Sequence, residues 1–155
     1  MDERARILVI DDDESIRKIL RAILEDEGYA VDTAENGREA IDKSTAKVYN
    51  LALIDVRLPD IEGVELLSKL KETVPRMRKV IITGFPTVQN AIEAVNNKAD
   101  AYMVKPFEVN KILETIQEQL KKQQEEKDYN QDRVTEFIET RVRELQMKNA
   151  SKTPR

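Results

Sequence analysis

The sequence contains no cysteine and no histidine among its 155 residues. The absence of cysteine excludes a disulfide framework, a thiolate metal site and a cysteine nucleophile. The absence of histidine excludes an imidazole general base and a phosphohistidine formed on this chain. Long apolar runs are also lacking, and the charged N-terminus leads into only four apolar residues, 7–10. We therefore expect no signal peptide, no membrane span and a cytoplasmic protein.

Neither acidic nor basic residues predominate strongly in the chain. The chain holds 26 Lys and Arg against 30 Asp and Glu, for a net charge of −4. This balance does not indicate a general nucleic-acid binder. Hydrophobic residues make up 40% of the chain, which is enough for the core of one domain with an appendage.

Short apolar runs alternate with segments of helical spacing over the first 120 residues. The runs that predict strands buried on both faces are 7–10, 51–54, 80–82 and 102–104, and the alternating segment 29–34 predicts an edge strand. The segments that predict helices are 16–24, 38–47, 64–74, 88–95 and 109–120. Five β-α units in this order favour an α/β fold, a doubly wound parallel sheet with helices on both faces.

Polar residues follow the predicted strands where each strand ends. Asp11 and Asp12 follow the first strand, Asp55 the third, Thr83 the fourth and Lys105 the fifth. In a parallel sheet these positions meet at one edge, where ligands usually bind. Three carboxylates there require a compensating cation, and ligands that are all oxygen suit Mg²⁺. The lysine and the hydroxyl could hold a phosphoryl group, which an aspartate can accept as an acyl phosphate.

Each of these residues also has an ordinary structural interpretation. Asp11 and Glu14 fit the spacing of a capping box at the start of a helix. Asp55 and Thr83 could be turn residues, and Lys105 could belong to a surface loop. The joint occurrence of all of them, at the ends of four different strands, favours the functional interpretation.

These segments resemble the receiver domain of two-component response regulators, over roughly residues 5–120. The first strand with its acidic pair, residues 7–12, the segment 53–63 around Asp55, and the segments 82–84 and 104–107 carry the resemblance. Residues 83–107 are most similar to receivers of the nitrogen-regulatory type. The resemblance implies a five-stranded sheet of order 2-1-3-4-5, as in flavodoxin and CheY.

The resemblance also implies a role for each site residue. Asp55 would accept the phosphoryl group from a histidine kinase or a phosphotransfer protein, and Lys105 would pair with that group. Asp12 and Asp11 would bind Mg²⁺ together with Asp55 and the backbone carbonyl of Arg57. Such a protein is a signalling switch with self-phosphorylation and autodephosphorylation chemistry, not an enzyme acting on a separate substrate.

The resemblance further implies how the switch works. Thr83 would move to bond a phosphoryl oxygen, and Tyr102 would follow it between exposed and buried rotamers. The face formed by helix 4, strand 5 and helix 5 would carry the output. A cis bond would precede Pro106, Asp13 would have no metal role, and bulky Phe85 would slow dephosphorylation.

The last 35 residues, 121–155, differ from the first 120. They carry a net charge of +2, contain no glycine, and end in a segment, from about residue 149, that is typical of disorder. They predict a charged helical extension, either one weak coiled coil or two helices meeting near residues 128–130. It would be a dimerising helix, a docking helix for a partner, the remains of a longer protein, or a tail without a role. No effector domain is recognisable.

Three other functions compete with this assignment. A haloacid-dehalogenase-type phosphatase also uses an aspartate nucleophile, but Arg57 stands where it needs a second acid, and there is no room for a cap domain. A pseudo-receiver scaffold is disfavoured by the intact acidic pair, Asp55, Thr83 and Lys105. A DNA-binding regulator acting through the extension lacks a helix-turn-helix pattern.

Overall fold

A computed structural model of the protein describes residues 4–84 and 86–152, with the side chains of 151 and 152 left out of the description. The strands are β1 (Arg6–Ile10), β2 (Ala30–Ala34), β3 (Leu51–Asp55), β4 (Arg78–Thr83) and β5 (Ala101–Val104). The helices are α1 (Glu14–Asp26), α2 (Gly37–Ala46), α3 (Gly63–Leu66), α4 (Val88–Asn96) and α5 (Val109–Lys152). The alternation of strands and helices is the one that the sequence predicts.

The five strands form one parallel sheet in the order β2-β1-β3-β4-β5, which confirms the expected topology. Ile7 of β1 pairs with Val31 on one side and with Leu51 on the other. The strand order therefore changes direction at β1, and the crevice outside the ends of β1 and β3 is the usual position for a ligand site. β2 lies at the edge of the sheet, as its alternating pattern indicated.

Two apolar layers cover the two faces of the sheet. On one face, Leu20 and Leu24 of α1 and Ile112 and Ile116 of α5 pack on alternate strand residues such as Val9. The layer on the other face combines residues of α2, α3 and α4 with the remaining strand residues, Leu8, Ile10, Ala52, Ile54 and Ile81 among them. Successive residues of each strand thus point into opposite layers, so the continuous apolar runs are buried on both faces.

Helix α3 is much shorter than the predicted segment 64–74. Val64, Leu67 and Leu70 are buried, as the helical spacing required. However, the Leu67 carbonyl accepts a hydrogen bond of 2.6 Å from the Lys79 ammonium, and the Lys71 amide donates to Ser44 Oγ at 3.3 Å. The next helical hydrogen bond would join the Lys71 amide to the Leu67 carbonyl. Because both groups have tertiary partners instead, the regular helix ends.

Helix α5 is continuous through residue 152, so the alternative of two helices meeting near residues 128–130 is wrong. The helix also includes residues 149–152, where the sequence indicated disorder, while residues 153–155 lie outside the described part.

Contacts divide the chain into a unit that ends at Gln123 and a second unit that begins at Gln124. Gln123 is buried, and its amide donates to the backbone carbonyls of Asn50 and Arg76 at 2.9 and 2.8 Å.

Candidate functional site

Four strands deliver the predicted site residues to one edge of the sheet. Asp11 and Asp12 follow β1, Asp55 ends β3, Thr83 ends β4 and Lys105 follows β5. The Lys105 ammonium lies 2.8 Å from Asp11 Oδ2 and 3.3 Å from Asp55 Oδ2. The fold therefore brings together residues that are up to 94 positions apart in the chain.

Three carboxylates form a cluster that suits a hard divalent cation. Asp11, Asp12 and Asp55 can each place one oxygen within 4.8 Å of the others. Asp11 and Asp55 are buried, whereas Asp12 is exposed, so one side of the cluster is open to solvent. Lys105 pairs with two of these three carboxylates, and the clustered ligand atoms are all oxygens. This chemistry fits Mg²⁺.

Burial and charge perturb the site in a consistent way. Burial of Asp55 and the negative charge of Asp11 raise the pKa of the Asp55 carboxyl, against an opposing effect of Lys105 and of the Arg57 amide. Burial would lower the pKa of Lys105, but its hydrogen bonds and attraction to Asp11 and Asp55 outweigh that effect and raise it. The lysine thus stays charged while it holds the two carboxylates, which repel each other.

Helix α1 is capped by Asp13 and not by Asp11, so the capping-box interpretation of Asp11 is wrong. The Asp13 carboxylate accepts hydrogen bonds from the amides of Ser15 and Ile16 at 2.8 and 3.2 Å. Asp11 Oδ1 instead accepts from the Asp13 amide at 2.9 Å, inside the loop that leaves β1. The cap on Asp13 leaves the carboxylates of Asp11 and Asp12 available to the site.

Two residues of the segment after Asp55, Asp60 and Gly63, support the site although no role was predicted for them. Gly63 donates to the Val56 carbonyl at 2.7 Å, and a Cβ at position 63 would collide with the backbone carbonyl of Asp55. Asp60 accepts hydrogen bonds from the amides of Gly37 and Arg38 at 2.8 and 2.9 Å, and so caps the first turn of α2. The glycine was a visible signal of close backbone approach, whereas nothing near Asp60 in the sequence indicates its partner 22 or 23 residues earlier.

Thr83 and Tyr102 lie on the same face of the sheet. Thr83 is fully buried, and its carbonyl accepts from the Lys105 amide at 2.7 Å. Tyr102 pairs in register with Ile81, two residues before Thr83, so the two side chains are diagonal neighbours. The Tyr102 hydroxyl is buried and has no hydrogen-bond partner among the described residues. The peptide bond before Pro106 is cis, as the resemblance implied.

Arg57 and Phe85 are the remaining positions with a predicted role. Arg57 is exposed, and its amide donates to Asp55 Oδ1 at 3.3 Å. Phe85, expected to slow dephosphorylation, lies outside the described residues. In the part of the chain that the structure describes, no helix combines the length and the apolar character needed to cross a membrane.

Comparison with known proteins identifies the family of this chain. The family described as the response regulator receiver domain matches residues 7–117. The chain belongs to this family. A receiver domain from Methanospirillum hungatei JF-1, described as CheY-like, superposes with a TM-score of 0.77 at 41% identity, covering 80% of this chain and 99% of that chain. NtrX from Brucella abortus superposes with a TM-score of 0.76 at 26% identity, covering 82% of this chain and 29% of that one.

Two curated relatives are longer proteins described as transcriptional regulatory proteins. The transcriptional regulatory protein ZraR of Klebsiella oxytoca is 38% identical over 118 residues, which are 76% of this chain and 27% of that protein. The uncharacterized transcriptional regulatory protein YkoG of Bacillus subtilis is 33% identical over 119 residues, 77% of this chain and 52% of that protein. The chain thus spans about a quarter to a half of the curated relatives it matches, and no effector domain is evident in its 155 residues.

Proposed function

We propose that this receiver domain accepts a phosphoryl group on Asp55 in a Mg²⁺-dependent reaction and passes the signal on through a change of shape. The observation that carries the proposal is the Lys105 ammonium held between Asp11 and Asp55, beside three carboxylates whose oxygens lie within 4.8 Å of one another. Phosphoryl transfer depends mainly on positioning and on neutralisation of charge, and this arrangement supplies both.

The donor in this proposal is a phosphohistidine on a histidine kinase or a phosphotransfer protein. An Asp55 carboxylate oxygen attacks phosphorus, the O–P bond forms as the P–N bond breaks, and the departing imidazole takes up a proton. Lys105 is placed to pair with the transferred group. Asp11, Asp12, Asp55 and the Arg57 carbonyl would hold Mg²⁺, which, when bound, offsets the charge of the carboxylates and of the phosphoryl oxygens. Later hydrolysis of the acyl phosphate would reset the switch.

The signal would leave the site through Thr83 and Tyr102. A phosphoryl group on Asp55 adds strong acceptor oxygens, which attract the Thr83 hydroxyl and Lys105. Movement of Thr83 would open space on the face where Tyr102 lies as its diagonal neighbour. The exposed apolar residues next to this path, Val88, Ile92 and Val95 of α4 and Val104 of β5, suit an output face formed by α4, β5 and α5. Its target is a partner protein or a second copy, and we expect no DNA binding by this chain.

Mass spectrometry of the intact protein tests the acceptance step. The full chain is incubated with Mg²⁺ and acetyl phosphate, and we expect the mass of one phosphoryl group to be added. The gain should disappear in Asp55→Ala and in the presence of a chelator. Asp13→Ala is the matched control, because it removes a carboxylate from the same edge that has no metal role, and it should still be phosphorylated. Failure with every donor, or phosphorylation of Asp55→Ala, would contradict the proposal; the first result would favour a scaffolding module.

A further inference from the structure

The helical extension, defined here as residues 124–152 of α5, carries an exposed apolar stripe. Its members are Val134, Phe137, Ile138, Val142 and Leu145, each between 47% and 71% exposed. At about 100° per residue these side chains fall on an arc of about 140°, the width of the buried face of an amphipathic helix. Glu136, Glu139 and Arg143 lie on the opposite side. The stripe is therefore a surface suited to contact with another helix.

A seam of steps of four and three runs through the stripe and contains one charge. It passes through Val134, Ile138, Arg141 and Leu145. If two copies of the extension paired in parallel, each seam residue would face itself, and two Arg141 guanidinium groups would meet in an apolar layer. If they paired antiparallel, Val134 would face Leu145 and Ile138 would face Arg141. The methylene groups of Arg141 could then cover Ile138, while its guanidinium stays with Glu144 of its own helix, at 3.1 Å.

The charges on either side of the stripe favour the same orientation. Residues 124–132 contain four acidic side chains and one lysine, a net charge of −3. Residues 147–152 contain two lysines and no acidic side chain, a net charge of +2. Parallel pairing would place the two acidic segments side by side. Antiparallel pairing about the middle of the stripe would place each acidic segment beside the basic segment of the other copy.

We propose that the extension associates with a second copy of itself as an antiparallel pair of helices, centred between Glu139 and Thr140. The occupant of the stripe is thus the stripe of another chain, recognised by apolar contact and by opposite charge on the flanks. This association does not depend on the phosphorylation of Asp55, so it can be tested separately from the proposed function.

The first test is the mass of the full chain in solution, measured by sedimentation equilibrium. We expect a dimer whose dissociation constant rises at least about tenfold in Ile138→Glu, because the change places a carboxylate in the apolar seam. Val48→Glu is the matched control, since Val48 is also an exposed apolar residue, 61% exposed after α2, and should leave the dimer intact. Circular dichroism should show unchanged helix content in both variants.

Two results of this measurement would overturn the proposal. One is a monomeric wild-type chain. The other is a dimer that survives Ile138→Glu and is broken by Ile92→Glu, which would place the contact on α4.

The second test is the orientation of the pair. Because the chain has no cysteine, Gln124→Cys and Thr140→Cys each accept a single spin label, and pulsed electron paramagnetic resonance measures the distance between the two copies. An antiparallel pair places the labels at position 124 about 45 Å apart, from a rise of 1.5 Å per residue, and those at position 140 much closer. Short distances at both positions would show a parallel pair and overturn the proposal. Added salt should weaken an antiparallel dimer, because it screens the opposite charges of the flanks.

Discussion

Each end of the sheet has carboxylates beside cations, three carboxylates at one end and one at the other, and their surroundings differ. At the carboxyl end, Lys105 pairs with Asp11 and Asp55, and the Asp12 carboxylate completes the cluster. At the other end, before β5, the single carboxylate of Asp100 is held by two arginines and a backbone amide. Arg76 contacts both Asp100 oxygens at 2.9 and 2.7 Å, Arg78 lies at 3.0 Å, and the Lys79 amide donates at 2.9 Å.

The carboxyl pKa values of Asp55 and Asp100 shift in opposite directions. Burial and the charge of Asp11 raise the pKa of Asp55. Burial would also raise the pKa of Asp100, but its hydrogen bonds to Arg76 and the Lys79 amide, with the two arginine charges, outweigh that effect and lower it. Burial favours the neutral acid in both places, so the neighbouring charges decide the direction in which each carboxyl pKa shifts.

Removing a cation from each end of the sheet should distinguish a role in phosphorylation from a role in stability. We expect Lys105→Met to slow phosphorylation of Asp55 by acetyl phosphate about 100-fold, since it removes a charge aimed at the transferred group. Arg76→Met, which removes a cation from the other end, should leave that rate within about twofold. The rates are read from intact mass against time. Equal slowing in both variants would mean that stability, and not local charge, explains the effect.

Asp100→Asn should produce the largest loss of stability. Removing the charge breaks the ion pairs of Asp100 with Arg76 and with Arg78, whose side chain is 7% exposed, and we expect a loss of about 2–4 kcal/mol in the free energy of unfolding. Urea unfolding at neutral pH measures the loss. Asp100→Glu, which keeps the charge, is the control and should lose less. A difference below about 0.5 kcal/mol at neutral pH would contradict the structural role.

The same variant should show a defined pH dependence. The pKa of Asp100 in the folded state lies below its unfolded value, so its contribution is present above the unfolded pKa and is lost as pH falls through the folded pKa. The stability gap between wild type and Asp100→Asn should therefore be largest near neutral pH and narrow below about pH 4. Urea unfolding at a series of pH values measures this difference in stability. A difference that grows as pH falls would contradict a lowered pKa of Asp100.

Mg²⁺ should stabilise the folded protein through the carboxylate cluster of Asp11, Asp12 and Asp55, and the contacts of Asp100 should not affect this gain. At a concentration ten times its dissociation constant, a cation bound only to the folded protein adds about 1.4 kcal/mol to the free energy of unfolding. We expect this gain in wild type and in Asp100→Asn, and its loss in Asp12→Asn. Thermal unfolding with and without Mg²⁺ measures it. Retention of the gain in Asp12→Asn would place the cation elsewhere.

The smallest effect concerns Asp13, next to the acidic pair. Asp13→Ala should lower the free energy of unfolding by about 1 kcal/mol, because the amides of Ser15 and Ile16 lose their cap. Asp13→Ser, which can also cap the helix, is the matched control and should retain most of the stability. The Mg²⁺-dependent gain should be the same in both variants. A reduced gain in both would assign Asp13 to the metal site after all.

Much of the carboxyl end could be predicted from the sequence. Strand ends of a parallel sheet meet at one edge, so residues that follow apolar runs, such as Asp55 and Lys105, identify the site once the runs are recognised. The contacts around Asp100 at the other end could not be predicted in this way. Asp100, Arg76 and Gln123 are charged or polar residues in loops or on a helix, and no local pattern indicates that they meet.

The order of elements, the parallel sheet and the residues at its carboxyl edge follow from the sequence, because apolar periodicity and strand polarity are local properties of the chain. Three features depend instead on tertiary contacts: α3 ends at Leu66, Asp13 and not Asp11 caps α1, and α5 makes contacts with the sheet end through Gln123. In each case the outcome depends on which distant donor or acceptor takes a backbone or carboxylate group, as Lys79 does for Leu67. These partners come together only in the folded chain, and the residues next to them in the sequence do not indicate which groups will meet.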